Sequence, residues 1–217
     1  VAYKETITRA AKAEGRLIRQ TGGRGQYGVV ALEVAPRERG AGFRFVDKIV
    51  GAAIPREYIG PVEQGVKAAL ETGVLASYPV VDVEVTLLDG SYHPVDSSEL
   101  AFRMAGSMAA RDALRHAKPA LLEPIMEIEV ATPEQFFSDV LGDINSRRGH
   151  VTMVDQRGHM RMVRALVPLA ETFGYATDLR SLTQGRATYT MEFDHYQETP
   201  PAVTEAILGK VRGFVRR

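Results

Sequence analysis

Two X-Pro pairs, Lys118-Pro119 and Glu123-Pro124, sit where the composition of this chain changes, and they constrain its fold more than any other feature. Proline lacks a backbone donor and pushes the residue before it into extended backbone, so a helix approaching these pairs has to stop. They divide the 217 residues into 1–120, 121–200 and a tail, 201–217. Each of the two large stretches is long enough to bury its own core.

In 1–120 the segments Val1–Thr8, Glu14–Thr21, Tyr27–Pro36 and Gly42–Ile49 alternate or are rich in β-formers and read as strands. Pro55 breaks that pattern. Val62, Val66, Ala69 and Leu70 then fall on one face of a helix ending near Gly73. Pro79–Leu88 alternates Val81, Val83, Val85 and Leu87 with polar residues, and Asp89-Gly90 is expected to turn that strand. Glu99–His116 reads as a helix with Leu100, Met104, Met108 and Leu114 on its apolar stripe. Asp96-Ser-Ser-Glu99 supplies the signature of a capping box, with Ser97 or Ser98 preceding the helix.

In 121–200 the order is strand (Leu121–Ala131), helix from Pro133 to Arg147-Arg148-Gly149, a hairpin (His150–Asp155, Met160–Pro168) turning at Gln156–His159, helix (Gly174–Thr183) and strand (Ala187–Tyr196). β-α-β-β-α-β is the ferredoxin-like split motif. Val203–Val215 reads as a C-terminal helix with basic ends. The fold class is therefore α+β, a mixed α/β domain followed by a ferredoxin-like one.

Chemistry is excluded more readily than assigned. There is no cysteine, hence no disulfide or thiolate metal site, and cytoplasm is the default location. No apolar run reaches the ~20 residues of a membrane helix, so no membrane partner is expected. No signal peptide and no initiator Met stand at Val1, as in a piece of a longer chain. No G-x-x-x-x-G-K-[ST] occurs, and the glycine-rich Gly22–Gly28 lies between two strands rather than before a helix, so it cannot present helix amides to a phosphate. His93, His116, His150, His159 and His195 have no zinc spacing. His93, Asp96 and Ser97 or Ser98 are close in sequence only, and helix capping accounts for Asp96, Ser98 and Glu99 better than a catalytic triad does.

Net charge is zero but uneven. Residues 1–120 carry 16 basic and 14 acidic side chains, 121–200 carry 7 and 12, and 201–217 carry 4 and 1. A nonspecific nucleic-acid binder is basic overall, so any RNA contact here has to be local. Three segments suit such a contact. Gly22-Gly23-Arg24-Gly25-Gln26-Tyr27-Gly28 combines permissive backbone with a guanidinium, an amide and an aromatic face. Asp89–Val95 projects Ser91, Tyr92 and His93 and is stiffened by Pro94. Phe173–Arg186 carries Tyr175, Arg180, Gln184 and Arg186 in an otherwise acidic region. On residues alone, the first is evenly balanced against an unpartnered hairpin tip, whereas a satisfied loop histidine and a solubilising surface helix are the favoured readings of the second and third.

Taken in order, these three segments resemble bacterial elongation factor G. So do Val1–Ile7, Ile54-Pro-Arg-Glu-Tyr58, Leu122-Glu-Pro-Ile-Met126 and Gly142–Gly149, and the resemblance covers nearly the whole chain. It implies that 1–120 is similar to the fourth domain, an elongated α/β body with a left-handed βαβ crossover, and 121–200 to the ferredoxin-like fifth. Residues 201–217 would return as a helix on the first of these. The tip (Gly22, Gly23, Arg24, Gly25, Gln26, Tyr27, Ser91, Tyr92, His93, Pro94) would then enter the small-subunit decoding site beside messenger and tRNA. Tyr175, Arg180, Gln184 and Arg186 would face large-subunit RNA at the stalk base and the sarcin–ricin loop. The resemblance implies a monomeric, non-enzymatic part of a translocase, without cofactors of its own. GTP and Mg2+ would belong to the G domain of a longer parent GTPase. Val29 departs from the His or Lys expected there, which leaves room for a paralogue acting in ribosome recycling or in protection from a drug.

Overall fold

The structure, a computed structural model, describes residues 1–215. Its backbone falls into two compact units. One comprises Tyr3–Leu122 with the segment from Glu198 on, the other Glu123–Gln197 with Val1 and Ala2.

The larger unit is built on a four-stranded sheet ordered β2 (Ala11–Arg19), β3 (Gln26–Pro36), β5 (Val83–Ser91), β4 (Arg44–Asp47). β2, β3 and β5 are antiparallel neighbours, and β4 runs parallel to β5. A parallel pair needs a crossover, here helix α1 (Arg56–Glu71). Helix α2 (Glu99–His116) packs against α1, β2 and β3. Val30, Leu32 and Val34 on β3, and Val83, Val85 and Leu87 on β5, meet Val62, Val66, Phe102 and Ala105 in one core. The first strand, β1 (Lys4–Ile7), lies apart from this sheet and pairs antiparallel with Pro119–Leu122 at the start of β6 (Pro119–Pro133). The buried Glu5 carboxylate accepts N–H bonds from Leu75, Ala76 and Tyr78, each at 2.9 Å. Three donors satisfy a charge that burial alone would penalise.

Two expectations fail here. The strand after Pro79 does not turn at Asp89-Gly90. It starts later, because Asp82 is left-handed (φ 59°), and it continues to Ser91. An irregularity between Ala31 and Leu32 lets Asp89 and Gly90 pair with Ala31 and Val30. Gly90 is required there, since a Cβ would overlap the Val29 carbonyl and the Ile54 side chain. The stripe Leu100, Met104, Met108 does not form the buried face of α2. These residues are 49%, 37% and 44% exposed, and the buried face is Ala101, Phe102, Ala105, Gly106, Ala109, Ala110, Ala113 and Leu114. The helix approaches its neighbours too closely for long side chains. A Cβ on Gly15 of β2 or Gly65 of α1 would collide with the α2 backbone.

The smaller unit has the strand order β9 (Thr188–Glu198), β6, β8 (Met160–Pro168), β7 (His150–Arg157). Helices α3 (Phe137–Ser146) and α4 (Tyr175–Leu182) supply Val140, Ile144, Tyr175 and Leu179 to a core with Ile128, Val130, Val163, Ala165 and Val167. This is the ferredoxin-like order read from the sequence. At the end of α3 the left-handed residue is Arg148 (φ 54°) rather than Gly149. Gly149 is needed for another reason: a Cβ would strike Ile144. The last helix, α5 (Pro201–Val215), follows Thr199, whose N–H donates to the Leu121 carbonyl at 3.0 Å.

Candidate nucleic-acid interface

The β2–β3 hairpin closes at Arg19 and Gln26, and the six residues between them form a loop at the same end of the sheet as Ser91, the last residue of β5. Gly22 (φ 61°) and Gly23 (φ 76°) are left-handed and open to solvent, so they can carry the reversal and present Arg24, which is exposed. Gly25 must be glycine, because a Cβ would collide with the Arg19 carbonyl. Gln26 and Tyr27 are half-buried as β3 begins.

The second loop folds against the first. The Tyr27 hydroxyl is 2.8 Å from Ser91 Oγ, and its ring lies 6.0 Å from that of His93, tilted by 43°. Ser97 Oγ donates to the Tyr27 carbonyl at 2.8 Å and accepts from the His93 N–H at 2.9 Å. The backbone N–H groups of Asp96 (3.0 Å) and Val95 (3.2 Å) both donate to His93 Nδ1. These donors face Nδ1, so in the neutral tautomer the ring hydrogen is on Nε2. Tyr92 (44% exposed), Pro94 and Val95 (62% exposed) form the outer surface of the loop. All ten sequence-predicted tip residues therefore stand together.

Asp96 is the residue that the sequence reading misplaced. Ser98 caps α2, accepting from the Ala101 N–H at 3.1 Å, whereas Asp96 turns away from the helix. Its Oδ1 accepts from the Gly25 N–H at 3.0 Å and its Oδ2 from the Gln20 side-chain amide at 3.1 Å. These two bonds, Gln20 first, hold its carboxyl below the usual carboxylate range, aided by His93 and Arg24 nearby.

In the smaller unit Arg147 organises the turn that leads into α4. Its guanidinium donates to Asp143 Oδ2 (3.0 Å), to the carbonyls of Glu171 (2.8 Å) and Phe173 (3.4 Å) and to Asp178, and it lies 5.0 Å from the centre of the Tyr175 ring. Arg148 grips Glu123 through two bonds, at 2.9 and 3.0 Å. At the far end of α4, Gln184 (φ 53°) and Gly185 (φ 74°) turn the chain, and the Gly185 N–H returns to the Arg180 carbonyl at 2.8 Å. Arg180, Gln184 and Arg186 are exposed.

A family model described as elongation factor G, domain IV, matches residues 1–118, and one described as elongation factor G C-terminus matches residues 120–207. The chain belongs to the elongation factor G family. A crystal structure of a Thermus thermophilus protein superposes with a TM-score of 0.90 at 41% identity, covering 98% of this chain and 32% of that one. The chain thus spans about a third of the length of that relative.

Within this elongation factor G fold, one predicted contact residue is displaced. Tyr175 is 2% exposed, edge-on to Tyr189 with ring centres 5.0 Å apart, and its hydroxyl is pushed well above the ordinary phenol range by burial. It is a core residue and cannot face RNA. The aromatic on the surface is Phe173, two positions earlier and 68% exposed. Val29 is 6% exposed on β3 opposite Ser91.

Proposed function

We propose that this chain is the ribosome-contacting C-terminal part of a translational translocase, acting through the tip made of Gly22–Tyr27 and Ser91–Pro94. The observation that carries the reading is the joining of two loops, some 70 residues apart in sequence, into one exposed surface of arginine, aromatic and imidazole groups on a rigid core. Such a surface offers a fork for phosphate, rings for stacking and a fixed donor for a base or ribose edge. Inserted into the small-subunit decoding site after messenger and tRNA have moved, it would favour the moved state by binding that state better. A ligand that binds both states equally shifts nothing. Arg180, Gln184 and Arg186, with Phe173 in the place first given to Tyr175, would meet large-subunit RNA. GTP hydrolysis would belong to the G domain of a longer parent protein.

The test replaces the matching part of a complete elongation factor G with this chain and then introduces His93→Ala with Gly25→Pro. Single-turnover translocation should slow by about a hundredfold, and a rate equal to that of the unmutated chimera sinks the tip assignment. A second reading, a paralogue for recycling or drug protection, is favoured by the buried apolar Val29. It predicts that the unmutated chimera splits subunits or displaces the drug yet fails to translocate.

A further inference from the structure

We infer that Asp96 is the positioning residue of the tip, a single side chain that fixes the glycine-rich loop and the His93 loop as one unit, so that Arg24 and His93 reach a target together. This rests on the reading of the tip as an RNA-contacting surface.

Asp96 is 9% exposed and contacts both loops through separate atoms. Its carboxylate holds Gly25 and Gln20, on either side of the loop that carries Arg24. Its carbonyl accepts the Tyr27 N–H at 2.9 Å, and its N–H donates to His93 Nδ1 at 3.0 Å. No task at the helix terminus requires this carboxylate, because Ser98 performs the capping. Without the tie, Gly22 and Gly23, with open space around them, would leave Arg24 on a chain of many conformations, and ordering it on contact would weaken binding. The same loop architecture directs His93. With Nδ1 occupied by two amide donors, Nε2–H is the group left for a partner.

The 217-residue chain itself supplies the first measurement. In 15N-labelled protein near pH 8, His93 should show the Nε2–H tautomer alone, and the Gly25 amide should be protected from exchange. Asp96→Ala should accelerate Gly25 exchange by about tenfold or more, while residues of the sheet keep their protection. Asp96→Asn should stay within about threefold of wild type, since its amide oxygen still accepts from Gly25 and Gln20 can reverse its own amide. If Asp96→Ala unfolds the chain, Gln20→Ala reads the same coupling as a roughly threefold or greater increase at Gly25. Unchanged Gly25 exchange in the variant that folds, or an Nδ1–H tautomer in wild type, overturns the inference. In the chimera, Asp96→Ala should slow translocation about tenfold, and Asp96→Ala with Arg24→Ala should be no slower than Arg24→Ala alone. Defects that multiply overturn the positioning role. Full translocation by His93→Ala refutes the tip function, and the exchange data then still decide the role of Asp96 in the loops.

Discussion

Asp96 also sets how the tip responds to acid. Its folded pKa lies below that of an unfolded aspartate, about 3.9, so its stabilising bonds are fully present above that value and are lost as pH falls through the depressed folded value. The protection factor of the Gly25 amide should therefore be flat at neutral pH and fall only below about pH 4. An opening between pH 5 and 7 would point to some other group. Glycines give a second residue-scale contrast. Gly65→Ala places a Cβ against the Arg103 carbonyl across the α1–α2 contact and should cost about 3 kcal/mol in urea unfolding, whereas Gly22→Ala faces open space and carries only its left-handed backbone, about 1 kcal/mol. The reverse ranking would mean that the helices separate more easily than their packing suggests. At this scale the sequence was legible where backbone demands a residue type, as at Gly22, Gly23 and Gly25. It was not legible where two rings stand two positions apart: nothing in Phe173-Gly174-Tyr175 tells which one the fold turns inward.

Helix α2 shows why an apolar pattern can mislead at the level of an element. Its length and ends followed from composition and capping chemistry, yet its buried face is alanine and glycine, and its large side chains are outside. The hydrophobic-stripe rule presumes that side-chain volume fills the gap between elements. Here the gap is closed by backbone approach through Gly15, Gly28, Gly65 and Gly106, which no single element reveals. Ser98→Ala should cost about 1 kcal/mol in the same unfolding assay, because it removes the cap to Ala101. Arg147→Ala is the corresponding test in the other unit. It strips partners from Asp143, Asp178 and two carbonyls at once and should cost about 3 kcal/mol, with the Phe173 turn losing exchange protection first. A loss of under ~0.5 kcal/mol would mean that the guanidinium only decorates the surface. The sequence places Arg147 and Arg148 at the helix end but leaves no mark of their partners, which lie up to 31 residues away.

For the molecule as a whole, net charge zero makes a prediction that local patches do not. The chain should show no measurable affinity for an unrelated RNA duplex at about 0.15 M salt by fluorescence anisotropy, while its association with ribosomes depends only weakly on salt, with a slope set by the few contacts from Arg24, Arg180 and Arg186. Tight binding to generic duplex would show that shape matters less than charge. The succession of strands and helices, and the ferredoxin-like order, were legible because each segment carries a period of its own. The pairing of β1 with the start of β6 was not, because strand partners so far apart leave no mark on either segment. That pairing has a consequence during synthesis. Lys4–Ile7 leaves the ribosome more than a hundred residues ahead of Pro119–Leu122, and at roughly 5–20 residues per second its partner arrives on the order of ten seconds later. For that interval the nascent chain carries a short strand without its antiparallel partner, first met on its other side by residues 75–81, and the charged Lys4 and Glu5 within it would discourage premature pairing with other chains.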